Sequence, residues 1–410
     1  MEPRPPPPRP PAIAPVKTAG GTYLNPEEWS EGKGKSDPGR EGLLKGMGDM
    51  WKWKVGGYKD KPPIPPSDVL AAAFPVLDPV AGGRWEAPPA DGSVQATWIG
   101  HSTFLVQMAG LNILTDPVFS CRCGPVQFPP SPARFTRAPA DIEALPKIDC
   151  CVISHNHFDH LDSNSVAALL PKVRHWYVPE GLRSWFLDAG CEPERVTELS
   201  WWGEATLEPE PEPEPEAGGG AGETKAQGKP ALHVQSAPCM HWSQRSATDA
   251  NKSLWCAWAL WVEPLWVKPA SPTDPPAHSR SVYFAGDSAY DAGGTEREGA
   301  LFKATGAYFR ERFGLADGED GRAFELGLIP IGAYEPFWFM CSQHCNPEEA
   351  VSIHIDVGCR RSIGMHWGTF ALADEEVREP PERLAARCEE LGLPEGEFRV
   401  IKHGEVVTLD

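Results

Sequence analysis

"VISHNHFDHLDSNS", residues 152–165, sets three histidines and two aspartates into eight positions directly after an apolar run. The run itself, "IDCCVIS" at 148–154, has no polar alternation, as expected of a strand covered on both faces. Ionisable groups crowded at the end of such a strand need a reason. Zinc takes imidazole nitrogen and carboxylate oxygen, and an irregular loop can aim adjacent residues inward. His155 and His157 can face one metal, while Asp159 and His160 reach a second beside it. Asp162 then stands where an N-cap belongs, opening a helix through "SNSVAALL".

One loop cannot complete two metal shells. Three later residues sit at or near the ends of predicted strands, as the first motif does. His241 follows "LHVQSAPCM", Asp287 ends "SVYFAGD", and His366 follows "SIGM". Taken singly, each histidine is better read as a core or surface residue and the aspartate as a turn or cap residue. Taken together, after H-x-H-x-D-H and in this order, they complete two sites.

Outward from these residues the chain alternates short strands and helices. "VQATWIG", "TFLVQMA" and "NILTDPV" form consecutive strands, with Ala109-Gly110 turning between the last two. "WYVP", "LHVQSAP", "LWCAWALWV", "SVYFAGDS", "LGLIPIG", "SIGMHWG" and "RVIKHGEVVTL" are further strands, and "GLRSWFLDAG", "NPEEAVSIHIDVG" and "PPERLAARCEELGL" are helices. That alternation predicts an α/β sandwich of sheets covered by helices. Residues 1–50 are expected to be a disordered Pro/Gly-rich tail and 51–93 an irregular lead-in packed on the domain. The domain itself is expected over 94–410. Two flexible insertions interrupt it, an acidic one at 208–230 built on "EPEPEPEPE" and a shorter one at 268–279.

The 410 residues, 41% of them hydrophobic, can bury a large core, and 57 acidic against 38 basic residues give a formal charge of −19. That balance argues against nucleic acid as a partner, since phosphate binding needs a basic footprint. The 11 cysteines lack the paired spacing of a zinc ribbon and are expected to be free thiols. No apolar window is long enough for a membrane span. The N-terminus has no secretory core and only a weak case for a transit peptide.

The order H-x-H-x-D-H, His, Gly-Asp, His resembles the metallo-β-lactamase superfamily. Within it, "TWIGHSTFLVQ", "LTDPVFS", "HWSQR", "YFAGDSAY", "IPIGAYEPFWFM", "QHCNPEEAV" and "MHWGTFALADEE" are similar to the N-acyl-phosphatidylethanolamine-hydrolysing phospholipase D family, over roughly residues 94–405. The resemblance implies an αβ/βα sandwich with two Zn²⁺ per chain. His155, His157 and His241 would hold one zinc, and Asp159, His160 and His366 the other, with Asp287 bridging. It further implies hydrolysis of N-acyl-phosphatidylethanolamine to N-acylethanolamine and phosphatidic acid by a hydroxide shared between the metals. The alternative is a related hydrolase opening a lactone or cleaving another phosphodiester. Asp159 can orient the hydroxide, and Gln343 and His344 match a Gln-His pair that contacts the phosphate or positions the nucleophile. His101 is expected behind the ligands rather than among them. The family's loop reads H-N-H-Y-D-H, and here the tyrosine is Phe158. The substrate implies a membrane surface, with the apolar "EPFWFM" (335–340) and "WKWK" (51–54), which pairs aromatics with cations, as docking candidates; the setting is expected to be intracellular (mitochondrial or cytoplasmic), and the resemblance implies a homodimer.

Overall fold

The computed structural model describes residues 8–26, 62–81, 83, 85, 93–210, 229–267, 278–291, 299–315 and 321–409. Its strands are β1 (Val16–Lys17), β2 (Tyr23–Leu24), β3 (Val94–Gly100), β4 (Thr103–Met108), β5 (Leu111–Thr115), β6 (Ile148–Val152), β7 (Val173–Pro179) and β8 (Val196–Leu199). They continue with β9 (Glu204–Leu207), β10 (Leu232–Ala237), β11 (Ala257–Val267), β12 (His278–Phe284), β13 (Phe324–Pro330), β14 (Cys359–Met365), β15 (Phe398–Arg399) and β16 (Val406–Leu409).

Two seven-stranded sheets result, ordered β16-β3-β4-β5-β6-β7-β8 and β15-β14-β13-β12-β11-β10-β9. In each, an antiparallel half gives way to a parallel one, β5 to β8 in the first and β12 to β15 in the second. Parallel neighbours end on the same edge, so the loops after β5, β6, β12, β13 and β14 gather there.

The continuous apolar strands follow from burial on two sides. Along β6, Cys150 and Val152 enter the core between the sheets, while Cys151 and Ile153 pack against the helices Ser163–Leu169 and Arg183–Asp188 with Val166, Leu169 and Phe186. The predicted turn between β4 and β5 is a two-residue hairpin with positive φ at both Ala109 and Gly110. Asp162 caps its helix as expected, accepting from Asn164 N at 3.2 Å and Ser165 Oγ at 2.5 Å. The helix Pro347–Val357 opens on a reciprocal pair, Asn346 with Glu349.

Three readings change. "RVIKHGEVVTL" is two strands on different sheets: β15 lies at the edge of one, and after a turn at Lys402–Glu405 β16 pairs with β3 of the other. The helix Ala300–Arg312 was not predicted. Gly306 interrupts its pattern because a Cβ there would strike the Asp356 carbonyl of the neighbouring helix. Residues 8–26 of the expected tail are ordered. β1 and β2 pair, Tyr23 is buried, and Trp202 Nε1 donates to Ile13 O at 2.8 Å. The remainder of that tail, most of the lead-in with "WKWK", and residues 211–228 and 268–277 of the two insertions lie outside the described residues.

All 11 cysteines are free thiols. No helix among the described residues is long and apolar enough to cross a membrane.

The acidic insertion leaves from β9 and returns to β10, whose pairing Leu207↔Leu232 precedes it. Replacing 211–228 with two glycines changes only a loop length, and closure entropy varies slowly with length. The melting midpoint should stay within about 3 °C of the parent, a shift equivalent to about 1 kcal/mol. A larger drop in a calorimetric scan would assign those residues a structural task.

Candidate metal centre

The shared edge of the parallel strands collects every ligand candidate. Asp116 follows β5, residues 155–160 follow β6, His241 lies past β10, Asp287 past β12, Gln343 and His344 past β13, and His366 directly past β14. His155, His160, His241, Asp287 and His366 are all at most 3% exposed.

Two groups form. In the first, His157 Nδ1 lies 2.9 Å from His155 Nε2 and 3.2 Å from His241 Nε2. In the second, His160 Nε2 and His366 Nε2 lie 3.5 and 3.4 Å from Asp159 Oδ2. Asp287 Oδ2 faces both groups, at 3.0 and 3.1 Å from His160 and His366 and at 3.9 and 3.8 Å from His155 and His241. The seven candidate residues are therefore brought close together, with His155, His157 and His241 in one cluster and Asp159, His160 and His366 in another that His101 also joins.

The donor set fits metal ions. Three imidazole nitrogens converge on one point, with Asp287 Oδ2 3.8–3.9 Å from two of them and beyond hydrogen-bond reach, and mutual hydrogen bonding cannot satisfy all three. A cation there takes every lone pair. The outer nitrogens are fixed to make this so. His160 Nδ1 donates to Asp116 Oδ2 at 2.6 Å, His155 Nδ1 to Ser154 Oγ at 2.9 Å, and His241 Nδ1 to Gln343 O at 2.8 Å. Each leaves an Nε2 lone pair pointing inward. His160 Nε2 and His366 Nε2 stand close to Asp287 without the alignment of a hydrogen bond, and Asp287 Oδ1 is buried without a partner.

Electrostatics agree. Burial drives His155 and His241 well below the ordinary imidazole value and His157 down to about 4. Burial also works against charge on His160 and His366. There the carboxylates of Asp287 and Asp159 outweigh it, raising His160 well above its usual value and His366 to about 9.

The sequence reading missed Asp116. Its carboxylate also accepts from Ser154 N at 2.7 Å and Ser154 Oγ at 2.5 Å, joining the ends of β5 and β6. The signal was present as an Asp-Pro pair closing "ILTDP". Arg245 was missed as well. It donates to Asn156 O at 2.9 Å and Leu161 O at 2.5 Å, and its guanidinium lies 4.2 Å from the Phe158 ring centroid. His101 stands behind Asp159, with Nε2 to Oδ2 at 3.0 Å.

Gln343 acts through its backbone carbonyl on His241, while its side-chain Oε1 accepts from Trp242 Nε1 at 2.6 Å. His344 points Nδ1 at Asp287 from 3.8 Å, and burial lowers its pKa to about 4. Gly286 is required beside Asp287. Its φ is +59°, and a Cβ would lie 2.5 Å from Ser154 Cβ.

The model of the β-lactamase superfamily domain matches residues 111–367. The N-acyl-phosphatidylethanolamine-hydrolyzing phospholipase D 1 of Caenorhabditis elegans is 35% identical over 296 residues, 70% of this chain and 68% of that protein. The mitochondrial N-acyl-phosphatidylethanolamine-hydrolyzing phospholipase D of Saccharomyces cerevisiae is 34% identical, over 72% of this chain and 52% of its own length. An uncharacterised protein of Mycobacterium tuberculosis is 35% identical, over 72% of this chain and 63% of its own. Among solved structures, the metallo hydrolase Igni18 of Ignicoccus hospitalis aligns with a TM-score of 0.47 and 20% identity, over 78% of this chain and 99% of that one.

Asp287→Asn removes the charge facing both groups and should strongly lower the metal content found by elemental analysis of purified protein. Asp116→Asn leaves the ligands in place but frees His160, and should weaken the metal held there about 10- to 100-fold. Full two-metal occupancy in Asp287→Asn, under a competing chelator, would refute the shared position.

Proposed function

The chain belongs to the metallo-β-lactamase superfamily and to its N-acyl-phosphatidylethanolamine-hydrolysing phospholipase D family, and is a metal-dependent hydrolase; we propose that it binds two zinc ions and hydrolyses N-acyl-phosphatidylethanolamine to N-acylethanolamine and phosphatidic acid. The observation that carries this reading is the convergence of two ligand groups on one carboxylate, Asp287. When bound, two zinc ions supply Lewis acidity and a nucleophilic water at neutral pH.

The chain's own residues do the rest. Asp287 compensates charge between the two groups. Asp159, held by His101 and kept ionised by His160 despite its burial, orients the attacking water and accepts its hydrogen bond. His344, neutral and with a partnerless Nδ1, is placed to contact the phosphate. Gln343 positions His241 through its carbonyl rather than by its side chain. Water oxygen joins phosphorus, the phosphorus–oxygen bond on the ethanolamine side breaks, and the departing alkoxide takes a proton.

A lipid substrate is supported by apolar side chains exposed near the centre. On the helix Phe337–Met340, Phe337 and Trp338 are 39% and 48% exposed, close in sequence before His344. With a net charge of −19, docking to a bilayer is local and apolar rather than by long-range attraction to anionic lipid.

Zinc-loaded protein incubated with N-acyl-phosphatidylethanolamine in ¹⁸O-water should release both products, with the label in phosphatidic acid. Hydrolysis of a lactone or a generic phosphodiester without these products would move the assignment to the alternative. Phe158→Tyr keeps the ring under Arg245 and restores a phenol. One added hydrogen bond to a charged phosphate contributes about 1.5 kcal/mol, so kcat/KM should rise about tenfold. An unchanged value would show that the hydroxyl has no part.

A further inference from the structure

We infer that Asn25 is a positioning residue for the metal centre, and that the N-terminal segment through residue 25 is a strap holding His241 in place. The inference rests on the metal reading above. His241 is carried by the long loop between β10 and β11, which also carries Trp242 and Arg245. Trp242 lies edge-on to His157 with ring centroids 4.5 Å apart and donates to Gln343, while Arg245 grips the loop 156–163. A displacement of this one loop therefore reaches every part of the three-histidine group.

The strap meets the loop at two points. Asn25 Nδ2 donates to His241 O at 3.0 Å, in a place where Asn25 is 8% and His241 1% exposed. Tyr23 N donates to Asn251 O at 2.7 Å, and Asn251 is itself tied to Ser243 through Ser243 N→Oδ1 at 3.1 Å and Asn251 N→Ser243 O at 2.7 Å. The other side of the strap is moored to the first sheet. Lys17 Nζ reaches Glu180, just past β7, at 3.1 Å, and Trp202, just past β8, holds Ile13 O. The strap thus spans the seam between the sheets and pins the carbonyl of a ligand from above, while Gln343 O pins its ring from the side.

The chemistry needs an amide donor of this length. Without Asn25 Nδ2 the buried His241 carbonyl has lost a donor, and the peptide after it gains freedom to turn. The ring and Trp242 turn with it. A general loss of stability affects both metal groups, whereas loss of this bond affects only the group containing His241.

The test uses the full chain, stripped of metal and titrated with Zn²⁺ against a competing chelator, with unfolding midpoints of the metal-free proteins measured alongside. Wild type is expected to bind two equivalents. Asn25→Ala should weaken one of them about tenfold and leave the other unchanged. Asn25→Asp should do at least as much, because a carboxylate cannot donate to the carbonyl. Lys17→Ala, which removes a mooring of the strap at Glu180 and Tyr23 but leaves the Asn25 bond in place, should weaken the same equivalent by less and leave the other unchanged. Equal weakening of both equivalents, or no change in either Asn25 variant, overturns the inference while leaving the two-metal reading standing. A wild type that binds no zinc overturns the metal reading and this inference with it.

Discussion

The carboxylate of Asp116 is buried at the end of β5, where it takes three hydrogen bonds from Ser154 and His160. Burying that group without partners would be costly, and burial does raise its pKa despite them. The partners are what make it useful. Ser154 fixes the backbone at the exit of β6, so the residues from His155 onward leave at a set angle. His160 is forced into the tautomer that offers Nε2 to the interior. Ser154 passes the same constraint to His155. One carboxylate fixes two imidazoles, His160 directly and His155 through Ser154.

The second sheet supplies the complementary half of the centre. Asp287 and His366 leave its parallel strands at the same edge, and His241 comes from a loop at the end of an antiparallel one. Close approach is enforced where bulk is missing. Gly286 lets the strand end carrying Asp287 lie against Ser154 of the opposite sheet, and a Cβ at Gly332 would run into the His366 carbonyl. His366 itself has a positive φ of 61° and donates its backbone N–H to His101 O at 3.1 Å, again across the sheets. The centre is therefore a joint between two sheets, and its precision depends on how they pack.

Parts of the chain that composition marks as peripheral differ in their relation to that joint. The described portion of the Pro-rich beginning lies against the long loop bearing His241. The acidic insertion departs between β9 and β10, at the far edge of the second sheet's strand order from β14. Similar compositions thus sit in unlike mechanical positions.

The sequence by itself determined the strands that are apolar throughout, because both their faces are covered, and the four candidate ligands of H-x-H-x-D-H, because that loop is too dense in metal-binding groups to be bland. It also determined Asp162 as a cap, since capping is a local interaction. Short edge strands such as β8 and β9, half polar because one side is exposed, carried too little pattern to be read. The tertiary structure alone decided that 398–409 divides between two sheets, since nothing local records which edge a strand joins. It also decided the roles of Asp116, Arg245 and Asn25. Each acts on a ligand brought near by folding, Asn25 across 216 positions of sequence, and a hydrogen bond between such distant residues leaves no trace in the spacing of either.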